Sequence, residues 1–406
     1  MKILFISEHY KHNIQGGGEI NLFSLCEELV RQGNAVSVLT SRNGLNEKQK
    51  VTENGVTVYQ YLSTGNVGTL SGNVKRLFLS RQIAKELQGI PKHDVIHLIG
   101  STLGAAKKIR SQTKQTPYTT VESYIALCPK GDFISGKKVS IKPWSFLELI
   151  QSIINSKEIG KMPNKWYIRY NPISWIAMYC RYKNLLDSLN YTRIFAVSEF
   201  VKNVLQEFGF KSIVVPNFVD IAQFKTTKTS EKKEVVVLYM GSLNEYKGPQ
   251  VLLEAAKGLN CKLQFYGNGP LKNSLQKKIN KYKINAEIHA PVDYKKVPEI
   301  YQKADIVVFP SLWPEPFGRI AIEAMASRKA VIGSNIGGIK ETIKDCGICV
   351  TPGNVSELNN SLNLLIENKK KREEFARKGY TRAKIYAKEV VVKKLVEIYK
   401  NNKTSF

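Results

Sequence analysis

Two carboxylates eight positions apart, Glu315 and Glu323, lie in the stretch from Ser311 to Ala326. A strand ends at Pro310 and a helix starts near Gly318, so Glu315 belongs to the loop and Glu323 to the helix. The Phe317, Gly318 and Arg319 region then presents unpaired N–H groups and the positive end of the helix to any nearby anion. Carboxylates accept hydrogen bonds from vicinal sugar hydroxyls. Two of them flanking an anion-binding helix end suit a nucleotide-linked sugar. The ordinary alternative, two solvated acids, fits Glu323 badly. It sits among Ile320, Ile322, Ala324 and Met325, where a carboxylate costs free energy unless paired.

Other residues could serve the same chemistry. Lys247, in Gly241-Ser242-Leu243-Asn244-Glu245-Tyr246-Lys247-Gly248, follows a strand and could neutralise a diphosphate as a point charge, or be a solvated loop lysine. Gly16-Gly17-Gly18 precedes a helix and suits a phosphate or sugar oxygen, or a tight turn. Gly267-Asn268-Gly269-Pro270 ends a strand but lacks the third glycine and the acidic partner of a dinucleotide fingerprint. Gly337-Gly338 precedes Glu341 at another helix start. His97 and Glu122 close strands of the first half, and either could be a general acid or base or a satisfied structural group.

The elements that must position these residues alternate. Apolar runs at Lys2 to Ser7, Ala35 to Thr40, Val56 to Leu62, Val95 to Ile99, Tyr118 to Val121, Ile194 to Val197 and Ile213 to Val215 read as strands. A second series runs Val235 to Met240, Lys262 to Tyr266, Glu287 to His289, Asp305 to Phe309, Ala330 to Gly333 and Ile348 to Val350, with helical segments between. Such β-α-β crossovers demand parallel sheets with helices on both faces. Two doubly wound domains result: 1–224 and 235–380, with a polar linker at 225–234 and a final helical segment at 381–406. Ligands of such sheets bind outside the carboxyl ends of the strands, so two facing domains would frame a cleft. Residues 130–190 break the alternation with ten Lys/Arg against four Asp/Glu and nine aromatics, and read as a basic, aromatic, mostly helical insertion. They suit either an anionic membrane surface or the packing of an enlarged domain.

Composition excludes several classes. With 406 residues, 43% hydrophobic and 23% charged, the chain is neither disordered throughout nor a polytopic membrane protein. The formal charge of +27 attracts anions without saying which. Six scattered cysteines do not form a secreted disulfide scaffold, and the Cys346/Cys349 pair has no second pair with which to hold zinc. No export signal and no apolar window long enough to span a bilayer is present, so a cytoplasmic chain is expected, with peripheral contact to the cytoplasmic membrane face open.

Taken together, these residues resemble the retaining nucleotide-sugar glycosyltransferases of family 4, which have the two-Rossmann GT-B fold. Glu315 through Glu323 looks like the family's E-x7-E motif. Gly16-Gly17, Val215 to Asp220, Lys247-Gly248, Gly267 to Pro270 and Gly337-Gly338 with Glu341 follow in the family's order. The resemblance implies roles by position. Glu323 would hold the ribose hydroxyls and Glu315 the donor sugar, with Phe317, Gly318 and Ile320 beside it. Lys247 would bind the diphosphate, and Gly17 would approach it from the other domain. No divalent metal and no cofactor besides the donor is expected. The last helices would return to the first domain.

The sequence departs from the family's pattern at three points. Ser242 stands where an Arg is usual before the diphosphate Lys, leaving Arg319 as a candidate substitute. Glu122 stands where a His is expected, and Leu98 follows His97 where many relatives have a second His. The expectation is therefore a glycosyltransferase that moves a sugar to an acceptor hydroxyl with retention, in cell-surface polysaccharide or glycolipid assembly. The competing expectations are a non-catalytic GT-B remnant and a basic nucleic-acid-binding protein, the latter with no recognisable nucleic-acid motif.

Overall fold

A computed structural model describes residues 1–11, 17–42, 45, 47–64, 75–135, 138–155, 170–224 and 234–401. The chain divides into two compact units: Met1–Val215 with Val392–Phe406, and Pro216–Val391. The division falls before the expected linker. The reason is local: Val219 N–H donates to the Tyr386 carbonyl at 2.9 Å, and Lys388 pairs with Asp220 at 2.6 Å, so residues 216–224 are held by the second unit. Of the linker itself, 225–233 lies outside the described residues.

The first unit is built on an eight-stranded sheet. Its strands are β1 (Lys2–Ile6), β2 (Ala35–Ser41), β3 (Gln49–Glu53), β4 (Val56–Leu62), β5 (Val95–Ile99), β6 (Tyr118–Val121), β9 (Arg193–Ala196) and β10 (Ile213–Val214), while β7 (Ile134–Ser135) and β8 (Lys138–Val139) form a separate hairpin. The order is β10-β9-β6-β5-β1-β2-β4-β3, and only β3 runs antiparallel to its neighbour. Residues Ile3 to Ile6 of β1 are buried without interruption, the signature of a strand covered on both faces. Helices α1 (Gly17–Arg31), α2 (Leu79–Glu86) and α3 (Ala106–Thr113) supply crossovers. The 130–190 region contributes α4 (Phe146–Asn155) and α5 (Pro172–Ser188), with α6 (Glu199–Glu207) following β9. Trp144, Leu149, Ile153 and Tyr182 of that region are buried, so part of its aromatic content is core. Trp166 lies outside the described residues.

The second unit carries an all-parallel six-stranded sheet ordered β13-β12-β11-β14-β15-β16. The strands are β11 (Val236–Met240), β12 (Lys262–Tyr266), β13 (Ala286–His289), β14 (Ile306–Phe309), β15 (Ala330–Ser334) and β16 (Ile348–Val350). Its helices are α7 (Pro249–Ala255), α8 (Lys272–Tyr282), α9 (Val297–Lys303), α10 (Arg319–Ala326), α11 (Gly338–Ile343), α12 (Val355–Glu367) and α13 (Lys369–Ala383). A last helix, α14 (Lys388–Lys400), passes from the second unit into residues grouped with the first. The winding of the second sheet reverses between β11 and β14, and the crevice at such a reversal is where open parallel sheets receive ligands.

Candidate active site

The loops after β11 and β14 carry the two most informative residues, Lys247 and Glu315. Gly248 explains why they meet. It adopts φ +74°, and a side chain there would overlap the Pro310 carbonyl oxygen at the end of β14. The two loops are stitched by Leu312 N–H donating to the Tyr246 carbonyl at 2.8 Å. Asn244 caps the short turn by accepting from Lys247 N–H at 3.1 Å. Lys247 Nζ thereby reaches Glu315 Oε1 at 2.5 Å, and Ser311 Oγ donates to the same oxygen at 2.7 Å. The ammonium also lies 5.2 Å from the centre of the Trp313 ring. Both charged side chains stay partly exposed, at 26% and 16%.

The backbone of Glu315 is fixed from the other side. Gly338 N–H, at the start of α11, donates to the Glu315 carbonyl at 2.7 Å. Gly337, at φ +60°, lies so close that a side chain would overlap the Glu315 backbone. Glu341 is in the first turn of this helix, and its carbonyl accepts from Arg382. Gly318 takes a left-handed conformation at φ +96° and starts α10. The N-terminus of that helix therefore follows Glu315 by four residues along the chain. Phe317 contributes its backbone only, since its ring is buried edge-on against Tyr386, 5.5 Å away. Ile320 lies beside Gly241, and Gly241 abuts Gly267, so these three share one corner. Ser242 is exposed and brings no cation to it.

Glu323 is 4% exposed and accepts three hydrogen bonds from protein groups. Its Oε1 accepts from Tyr294 OH at 2.9 Å and Arg319 Nε at 2.8 Å, and its Oε2 accepts from Tyr301 OH at 3.1 Å. Arg319 also donates from Nη2 to Tyr294 OH at 2.8 Å and stands 5.0 Å over that ring. Burial raises the Tyr294 and Tyr301 hydroxyls above the ordinary phenol range, and the Glu323 charge adds to this, so both remain donors. The guanidinium expected to replace the missing phosphate cation is thus committed to Glu323 and Tyr294. Tyr294, in the short turn Tyr294–Lys296, and Tyr301, in α9, stand seven positions apart, a spacing that brings side chains to one side of a helical segment, and a buried acid needs donors.

In the first unit, His97 is corrected. It lies within β5 and not at its end, buried to 1% exposure. Its Nδ1 contacts Tyr399 OH at 2.5 Å and its Nε2 contacts Thr120 Oγ1 at 2.9 Å, with Phe5 stacked at 5.3 Å. Burial pushes the imidazole down to about 3. A neutral ring with both nitrogens engaged in a core fits the structural alternative better than that of an acid or base. Glu122 follows β6 and faces the start of α1, where a side chain on Gly18 would come within 2.7 Å of its Oε2. It lines a pocket of about 220 Å³ together with Ser7, Gly18, Ile99, Gly100 and Ser123, at the carboxyl ends of β1, β5 and β6. Gly17 opens α1, and Gly16 lies outside the described residues. Among the described residues, no group of three or more His, Cys, Asp or Glu could hold a metal ion, and no helix is long and apolar enough to cross a membrane.

Residues 220–382 match the family described as glycosyl transferases group 1. An uncharacterized glycosyltransferase of Methanocaldococcus jannaschii is 26% identical over 377 residues, covering 87% of this chain and 86% of that protein. Among solved structures, sucrose-phosphate synthase of Thermosynechococcus elongatus superposes with a TM-score of 0.76 at 18% identity, covering 99% of this chain and 98% of that one. Anabaena HepE, crystallised with UDP and glucose, gives 0.70 at 18% identity, covering 98% and 99%. These likenesses extend over both units and establish the fold anticipated from the sequence, two Rossmann-like parallel-sheet units of the GT-B class.

Proposed function

We propose, for a chain that is a GT-B glycosyltransferase by its fold and its group 1 match, a retaining, metal-independent activity of the family 4 kind. It would move a sugar from a nucleoside diphosphate to an acceptor hydroxyl in the assembly of cell-surface polysaccharide or glycolipid. The observation that carries this reading is the meeting of Lys247, Ser311 and Glu315 beside the open amide end of α10.

That corner offers a cation and N–H donors for a departing diphosphate and a carboxylate for sugar hydroxyls. In the resting site Lys247 is paired with Glu315. An incoming diphosphate would draw the ammonium away and free the Glu315 oxygen for the sugar. Glu323 Oε1 already accepts two hydrogen bonds, while Oε2 accepts one, which leaves Oε2 room for one ribose hydroxyl. Lys247 and the α10 amides would do the charge stabilisation that a metal ion supplies in other phosphate chemistry. Front-face displacement would follow: the C–O bond to phosphate breaks, its electron pair stays on the diphosphate, and the acceptor hydroxyl attacks from the same face and passes its proton late to the departing phosphate oxygen. The peripheral site for the acceptor would be the first unit's pocket, with α4 and α5 resting on an anionic membrane.

The test is a thermal-shift screen against UDP-, GDP-, ADP- and dTDP-sugars with a chelator present. The UDP complex of HepE makes the uridine donors the first to try. One donor class should raise the melting temperature by mass action. Lys247→Ala should weaken that response at least about tenfold, the value of one lost charge-assisted contact. No response to any donor, or an unchanged response in the variant, would remove the assignment.

A further inference from the structure

The pocket of the first unit is opposite in sign to the protein that holds it. The chain carries a formal charge of +27. Yet no lysine, arginine or histidine is among the described residues that line the pocket, and Glu122 is the one charged side chain there. Chain order places this carboxylate, because Glu122 is the first residue after β6, at the carboxyl end of the sheet. Packing then fixes its direction. A side chain on Gly18 would come within 2.7 Å of Glu122 Oε2, so the carboxylate lies against the first turn of α1, a helix of 15 residues. That end of a helix favours negative charge. Glu122 is thereby held, half-buried, in the pocket wall.

The uncharged walls point the same way. Ser7 Oγ donates to the His9 carbonyl at 2.9 Å, and Thr119 Oγ1 donates to the Leu98 carbonyl at 3.0 Å. A hydroxyl has one proton, so these two can offer a ligand only their lone pairs. Leu22, Ile99 and Leu103 add apolar surface. The ligand that complements such side chains brings hydrogen-bond donors and an apolar face. A sugar ring brings both, since its hydroxyls donate and its C–H faces are apolar. A phosphate or carboxylate brings acceptors, and it would meet Glu122 with no cationic side chain in the wall to offset the repulsion.

We propose that Glu122 sorts acceptors by charge: the first unit's pocket takes an uncharged sugar, whose hydroxyls donate to the carboxylate, and rejects a ring bearing a phosphate or carboxylate group. This rests on the reading of that pocket as the acceptor side. Glu122 is here a specificity residue, and the basic surface that draws anions to the protein does not extend into the pocket.

Saturation-transfer NMR on the full chain, without nucleotide, tests this with matched pairs: glucose against glucuronate, and galactose against galacturonate. The protein carries Lys247→Ala, so that the second unit's cation does not take the anions. At least one neutral sugar should bind saturably, about tenfold or more tightly than its uronate. Glu122→Gln keeps the size of the side chain and removes its charge. It should weaken the neutral sugar about tenfold, the worth of one charge-assisted contact, and admit the uronate. Gly18→Ala keeps the charge but displaces Oε2, and should weaken the neutral sugar without admitting the uronate. Melting temperatures check that both variants are folded. A uronate bound as tightly as its neutral partner, no binding of either neutral sugar, or a preference that survives Glu122→Gln overturns the proposal. Neutral-sugar binding lost in Glu315→Gln and kept in Glu122→Gln would move the sugar to the second unit and overturn it as well. Because no donor is used, these outcomes stand apart from the nucleotide-sugar screen: a donor response without any charge preference here would remove this proposal and leave the transfer reading in place.

Discussion

The ion pair between Lys247 and Glu315 places the two groups with the clearest chemistry 2.5 Å apart, at the reversal of a parallel sheet. Their types were legible as a cation and a carboxylate in loops that follow strands; that β11 and β14, separated by two strands in the chain, lie side by side in the sheet was not. Glu323 was legible only as an acid in need of partners. Its donors, Tyr294 and Tyr301, come from a different helical segment, and a local reading of α10 does not reach them. His97 shows the opposite case. Its type suggested catalysis, but Tyr399, 302 positions later, closes over its ring. This gives a pH prediction. The folded imidazole sits at about 3 against 6.5 when exposed, so its neutral form stabilises the fold above about pH 6.5. That stability is lost as the pH falls from 6.5 towards 3. In denaturant unfolding between pH 7 and 5, His97→Asn should show a shallower loss than wild type, by up to about 1.4 kcal/mol per pH unit for one proton. Equal slopes would mean that the ring does not titrate with unfolding.

At the scale of elements, the buried strands announced themselves as continuous apolar runs, and β14 and β15 are buried along their whole length. Strand β3 (Gln-Lys-Val-Thr-Glu) did not, because an antiparallel edge strand keeps polar side chains and none of its residues is buried. The β7–β8 hairpin is too short to leave a periodic signal. The packing reading of the 130–190 region holds for part of it. One side of α4 and α5 is packed through Leu149, Ile153, Met178 and Tyr182, while Leu147, Ile173 and Ile176 stand 70%, 62% and 52% exposed. An apolar row on a basic region suits an anionic lipid surface. Vesicles containing anionic lipid should carry the protein in flotation, and Leu147→Glu with Ile173→Glu should reduce the bound fraction several-fold, roughly the effect of withdrawing two buried apolar side chains. Flotation that ignores lipid charge or the double substitution would leave this face without a membrane role.

At the scale of the molecule, the second unit takes its chain from one continuous segment, whereas the first unit takes its chain from two. Val392, Leu395 and Tyr399 are all at most 3% exposed, and Tyr399 packs edge-on to Tyr118 at 4.9 Å. A chain ending at Val391 should expose Tyr118, Phe195 and His97 and lose roughly 3–5 kcal/mol, as large core deletions do. Limited proteolysis should then cut the first unit early, and a truncated chain as resistant as the full one would contradict this packing. No periodicity within β5 or β6 could have indicated this cover, because it lies at the far end of the chain.

The same return of the chain sets an order for biosynthesis. A ribosome makes the N-terminal half first, yet that half stays without its last layer until the segment from Val392 onward has been made. The nascent chain must therefore carry an unfinished hydrophobic surface through the synthesis of the entire second sheet, and chains that stop before Val392 would present it to chaperones and proteases.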